Sequence, residues 1–144
     1  MDAQELIEAT TRTWNERDRA GYLALYTDDC EISAPGFTGR GHEELGAFYD
    51  VQMTALPDNR ITVLRTAVGD DGALVVEESV MEGTHTGPLV SADGSELPAT
   101  GRHVSASFAM VHELRDGKLA ASRLYYDQLE FLAQLGVTAE AAPA

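Results

Sequence analysis

The chain has one cysteine, few basic residues, no long apolar run and no recurrent spacing of metal-ligating side chains, and each shortage removes a class of protein. With Cys30 alone, no disulfide can form within the chain and a cysteine-rich metal site is excluded. No histidine stands beside Cys30 in sequence, so it reads as a small buried residue rather than a nucleophile. Ten Lys and Arg stand against 24 Asp and Glu, a formal charge of −14. That balance repels phosphate backbones and anionic membranes, so nucleic acid is rejected as a partner. No window approaches the roughly 18 apolar residues of a membrane span, and the start, Met1-Asp-Ala-Gln-Glu, lacks a basic then apolar leader. A cytoplasmic location is the expectation. Neither His-x-x-x-His nor His-Glu-x-x-His occurs, nor a glycine-rich phosphate loop or nucleophile elbow, so neither a metal nor a nucleotide is expected.

What is present suits one soluble domain. At 44% hydrophobic and 24% charged residues over 144 positions, the composition supports a sizeable core, with a frayed tail expected over 139–144 and the domain over 1–138. Asp2 and Glu5 form a capping box ahead of Leu6, Ile7, Thr10 and Trp14 at helical spacing, which predicts a helix over about 3–17. Asp18 can cap a short second helix, and Gly41 opens a third carrying Leu45, Phe48, Tyr49 and Met53. A short strand fits between the last two, over 30–34. From residue 60 the pattern changes to β-formers in four runs, 60–69, 73–86, 101–114 and 118–127, broken by Gly and Asp. The expected architecture is α+β, with three helices and then a meander of long antiparallel strands.

Arg115-Asp-Gly-Lys118 reads as a two-residue hairpin pairing 115 with 118. Propagated without interruption, that register sets Arg123 opposite Met110, Tyr125 opposite Phe108 and Asp127 opposite Ala106. Ala106, Phe108, Met110, Leu119, Ala121, Arg123, Tyr125 and Asp127 then share the inner face, with His103, Ser105, Ser107, Ser122 and Tyr126 outside.

Asp127 stands where the last strand gives way to the helix Gln128-Leu-Glu-Phe-Leu-Ala-Gln-Leu-Gly136. Partial burial after two tyrosines would raise its pKa and suit it to proton transfer, and an Asp in that place equally suits a helix N-cap. His85 lies in Gly83-Thr-His-Thr-Gly87, where it can bond a ligand carbonyl or tie down the loop that follows. Arg123 on an apolar face needs an acid, for which Glu77 or Glu82 is available. Arg102 suits a loop-holding role; His42 falls in the first turn of the third helix, His103 on the outer face and His112 near the hairpin end. Trp14, Tyr26, Phe48 and Met53 at helical spacing read mainly as core, some of them lining a pocket.

Gly83-Thr-His-Thr-Gly87, Leu97-Pro-Ala-Thr-Gly-Arg102 and the Asp-Gly-Lys hairpin leading to Tyr126-Asp127 and Gln134-Leu-Gly136 together resemble the SnoaL-type polyketide cyclases over most of the chain. The resemblance implies a nuclear transport factor 2-like cone: a curved antiparallel sheet of four to six strands around an apolar pocket, closed by three N-terminal helices, usually as a homodimer. It further implies a hydrophobic carbonyl compound as substrate and acid–base chemistry such as intramolecular aldol closure, without cofactor. Asp127 matches the cyclases' pocket aspartate, with His85 as the second catalytic candidate and Trp14, Tyr26, Phe48, Met53, Phe108, Arg123 and Tyr125 as pocket candidates. The same fold hosts epoxide hydrolases and plain binding domains. Here the segment 88–96 inserts a polar turn between the two glycine motifs.

Overall fold

A computed structural model describes residues 1–137; the expected tail, 139–144, and the proposed domain end at 138 lie outside the described residues. The first helix, α1 (Ala3–Asn15), starts from the capping box: Glu5 N–H donates to Asp2 at 2.8 Å and Asp2 N–H to Glu5 at 3.2 Å. Such a cap is worth about 1 kcal/mol. Its buried stripe of Leu6, Ile7, Thr10, Thr13 and Trp14 has the spacing of one helix face. Asp18 caps α2 (Arg19–Ala24) by accepting from Gly21 N–H. A hairpin follows, β1 (Tyr26–Ala34) and β2 (Phe37–Arg40), and then α3 (Gly41–Ala55).

The remaining strands are β3 (Arg60–Gly69), β4 (Leu74–Thr84), the small pair β5 (Leu89–Val90) and β6 (Glu96–Leu97), then β7 (His103–Arg115) and β8 (Lys118–Tyr126); α4 (Gln128–Gln134) ends the described chain. Among described residues the main sheet has six strands in the order β2-β1-β8-β7-β4-β3. It is the expected α+β cone, with two additions. The strand expected at 30–34 begins at Tyr26 and has a hairpin partner, and β1 runs parallel to β8.

The sheet's concave face holds the core. Leu6, Trp14, Tyr22, Tyr26, Cys30, Ile32, Leu45, Tyr49 and Leu119 form one cluster beneath α1, α2 and α3. Ala55, Leu56, Val104, Phe131 and Leu135 form another at the opposite end of the trough. There β8 has ended, and α4 takes its place: the Gln134 amide accepts from Ser105 N–H at 2.8 Å and donates to Ser105 carbonyl at 3.0 Å, as a neighbouring strand would.

The turn at 116–117 is as expected, with Asp116 and Gly117 both at positive φ and Arg115 opposite Lys118. The register beyond it is corrected. Leu114 pairs with Leu119, but Glu113 pairs with Ala121, leaving Ala120 as an extra residue in β8. That bulge moves the pairing by one, so Arg123 faces Val111, Tyr125 faces Ala109 and Tyr126 faces Phe108. Every β8 residue after it changes face: Ser122, Leu124 and Tyr126 join the concave row of Phe108, Met110 and His112, while Ala121, Arg123 and Tyr125 turn to the convex side. The β7 half of the expected faces holds. Arg123 accordingly pairs with Glu113 at 2.6 Å on the convex face and not with Glu77 or Glu82.

Candidate active site

The bulge brings together a buried polar chain on the concave face. His112 of β7 lies with Nε2 2.9 Å from Glu77 Oε1 of β4 and with Nδ1 2.6 Å from Ser122 Oγ of β8. Ser79 Oγ donates to the other Glu77 oxygen at 2.8 Å. The Tyr26 hydroxyl is 3.2 Å from Ser122 Oγ, and Tyr22 OH lies 3.5 Å beyond it. All six side chains are buried. Each group has a partner: Ser122 Oγ donates to the Tyr26 hydroxyl, so Nδ1 of His112 donates to Ser122 Oγ, and Nε2 meets the Glu77 carboxyl.

Burial pushes Tyr22 well above the ordinary phenol range, with the neighbouring Tyr26 and Glu77 adding to the effect. Burial likewise pushes Tyr26 up to about 12, opposed by its hydrogen bonds to Ser122 and Tyr22. Both phenols stay protonated at neutral pH and add no charge to the chain, and the Tyr26 oxygen accepts from Ser122.

An apolar floor adjoins the polar chain. In the register Glu77 lies opposite Met110 and Ser79 opposite Phe108, and across β7 the same two residues face Leu124 and Tyr126. Phe108, Met110, Leu124 and Tyr126 are only half-buried, although they lie on the concave side, as are Phe48 and Met53 of α3. These side chains keep partial contact with solvent, whereas Tyr22 and Tyr26 are buried.

The residues named from sequence do not converge on one place. Phe48 and Met53 pack, partly buried, against the core cluster of Trp14 and Tyr49, Phe108 is partly buried on the concave row of β7, and Tyr26 belongs to the polar chain. Trp14 is core, its indole N–H donating to Asn59 Oδ1 at 2.6 Å. Arg123 and Tyr125 are on the convex face, Tyr125 being 55% exposed. Asp127 is exposed and caps α4, accepting from Glu130 N–H at 3.1 Å. His85 lies past the end of β4 with Nδ1 accepting from Thr100 N–H at 3.2 Å and 2.9 Å from Thr100 Oγ1. Among the described residues its buried Nε2 has no hydrogen-bond partner, a condition that ordinarily costs about 1–3 kcal/mol. Burial holds its pKa below the usual value of 6.5, opposed by the Gly87 backbone.

Glu77, Ser79, His112 and Ser122 were missed as a group. Glu77 was considered only as a partner for Arg123, and Ser122 was assigned to the outer face by the unbulged register. The available signal was the alternation in Val75-Val76-Glu77-Glu78-Ser79, which puts Glu77 and Ser79 on the face of buried Val75. Among described residues no group of three or more His, Cys, Asp or Glu is placed to hold a metal ion.

A six-stranded curved sheet with helices over its concave face is the nuclear transport factor 2-like, or ketosteroid isomerase-like, fold. Residues 7–122 match the family model described as a SnoaL-like domain, and the chain belongs to that family. Solved structures of similar fold include a candidate polyketide cyclase from Pseudomonas putida KT2440, 22% identical, with 93% of this chain and 98% of that one covered at a TM-score of 0.78. A protein with a ketosteroid isomerase-like fold from Catenulispora acidiphila DSM 44928, in complex with trimethylamine, is 19% identical over 96% of this chain and 98% of that one, TM-score 0.76. An LEH-like epoxide hydrolase of M. tuberculosis is 20% identical over 91% and 86%, TM-score 0.66. No curated protein matches the sequence.

Proposed function

We propose that this SnoaL-like protein binds a hydrophobic, carbonyl-bearing small molecule over the half-buried apolar floor and exchanges a proton with it through the Glu77–His112 pair, without metal or organic cofactor. The observation that carries this reading is the junction of the two surfaces: Glu77 and Ser79 share register rows with half-buried Met110 and Phe108. A ligand lying on that floor is next to a carboxylate whose protonation is backed by an imidazole at 2.9 Å. Removing a proton beside a carbonyl is the step that aldol cyclisation and isomerisation have in common, and a positioned base contributes about 10²–10⁴-fold to it.

Asp127 has a different role in this proposal. Its carboxylate is exposed and engaged with the first turn of α4, so we assign it to capping and the base to Glu77. Assembly as a homodimer and a cytoplasmic location are likewise proposals, drawn from the family and the composition.

The test is exchange of the acidic C–H of an aryl β-diketone in D₂O, followed by proton NMR. The protein is expected to accelerate exchange over buffer, and Glu77→Gln to lose about 100-fold or more of that acceleration while still binding the probe. Binding with no acceleration in the unmutated protein would leave a small-molecule-binding domain.

A further inference from the structure

His85 marks a second place where a ligand can be recognised, remote from the polar chain. Along β4 the concave row runs Val75, Glu77, Ser79, Met81, Gly83, and His85 continues it one step past the strand's last residue. The backbone there is still held as sheet, since His85 N–H donates to Arg102 carbonyl and Gly101 N–H to His85 carbonyl, both at 2.8 Å. Glu77 and His85 are thus separated by eight residues, about 26 Å of extended strand. A molecule in contact with Glu77 does not reach His85 unless it is long.

The imidazole itself is fixed. Nδ1 accepts the Thr100 N–H, which requires a lone pair at that nitrogen and places the ring hydrogen of the neutral tautomer on Nε2. The Thr100 hydroxyl that also meets Nδ1 accepts from Arg102 N–H at 3.3 Å, tying the ring to the loop before β7. The residue is 1% exposed, and among the described residues Nε2 has no acceptor in good hydrogen-bond geometry, although the Gly87 backbone lies close enough to raise the ring's pKa. Around this end of the trough, Gly87 N–H donates to the carbonyl of Ala55 at the end of α3, and Met81, Leu89 and Leu97 are half-buried apolar residues against Ala55, Leu56 and Val104.

We propose that His85 Nε2–H is the hydrogen-bond donor for an uncharged carbonyl oxygen on the ligand, at a subsite formed by the end of β4, the end of α3 and the β5–β6 pair. An uncharged oxygen is the better match than a carboxylate. The donor is neutral at neutral pH, and a chain of formal charge −14 repels anions. The proposal rests on the ligand-binding reading above and adds to it a second recognition point, which an extended ligand carrying a carbonyl at each end would satisfy.

The experiment compares an aryl methyl ketone with the alkene of the same shape, in which CH₂ replaces the oxygen, using protein labelled with ¹⁵N. The ¹⁵N shifts of the ring report the tautomer, and the His85 Hε2 resonance reports contact with the ligand. The expected result is an unprotonated Nδ1, a downfield shift of Hε2 with the ketone only, and binding of the ketone about tenfold or more tighter than the alkene. His85→Phe is expected to abolish that preference, and Asp127→Asn, at the exposed cap of α4, to leave it. Equal binding of the two probes with Hε2 unmoved, or a ring protonated on Nδ1, overturns the subsite and leaves the floor reading intact. If neither probe binds, the ligand-binding reading fails and takes the subsite with it. The wild-type resonances answer the question even if the phenylalanine variant does not fold.

Discussion

His112 Nε2 lies 2.9 Å from Glu77 Oε1, joining β7 to β4 inside a trough where both side chains are almost wholly removed from water. Taking two such groups out of water is unfavourable, and their mutual attraction offsets that only while both are present. Ser79 and Ser122 supply the remaining hydrogen bonds and complete the set.

The two residues are therefore expected to be energetically coupled. His112→Leu, which leaves the carboxylate buried without its partner, is expected to destabilise the fold by about 3–5 kcal/mol. The double substitution Glu77→Met with His112→Leu is expected to recover most of that, because the stranded charge is gone. Urea unfolding of the four proteins of this cycle checks it; additive losses would mean that the pair is uncoupled.

At the C-terminal helix the capping geometry sets the outcome. Asp127→Ala is expected to cost about 1 kcal/mol and Asp127→Asn only a few tenths, because asparagine retains the oxygen that accepts Glu130 N–H. Proton exchange of the β-diketone is expected to survive both changes. Loss of exchange in a folded Asp127→Asn protein would return the base to this position.

Deleting Ala120 removes the bulge and lets the hairpin register run on unbroken. Arg123 and Tyr125 would then point into the trough and Ser122 out of it, away from His112. The expected result is loss of the cooperative unfolding transition, measured by circular dichroism against temperature. A stable deletion variant with native spectra would show that β8 tolerates either face.

His85 makes stability depend on pH. Its folded pKa lies below the usual 6.5 because burial disfavours the cation, so below that value the unfolded chain binds the extra proton more readily than the folded one. The contribution is present above about pH 6.5 and is lost as pH falls through the lower folded value. Urea midpoints at pH 7.5 and 5.5 are expected to fall further in the wild type than in His85→Gln. Equal falls would show that the residue takes up its proton in the folded state as easily as in the unfolded one.

Local signals accounted for much of this architecture. The Asp2–Glu5 box, the Asp18 cap and the Asp116-Gly117 turn each act within a few residues, so their sequence pattern and their geometry coincide. The β1–β8 pairing and the polar chain are of another kind. Tyr26 and Ser122 are separated by 96 positions, and nothing near either one indicates the other. The extra residue at Ala120 lies in Leu119-Ala-Ala-Ser122, where neighbouring small side chains fit either face and alternation carries little information. The site depended on that one residue, so the trough was legible and its polar floor was not. Asp127 drew attention because its position is conspicuous, and that position is equally what a cap requires.

The parallel seam between β1 and β8 also constrains how the chain can be made. On a ribosome the helices and the β1–β2 hairpin emerge first, and the β8 side of β1 stays unpaired until residues 118–126 follow. The segment from β1 through β8 must therefore be synthesised before β1 is enclosed, and until then the nascent chain carries an open strand edge. Pairing so distant in sequence also makes the closing step a slow one. Slowed translation or truncation ahead of β8 would prolong that exposure, making association between unfinished chains the characteristic failure of this fold during synthesis.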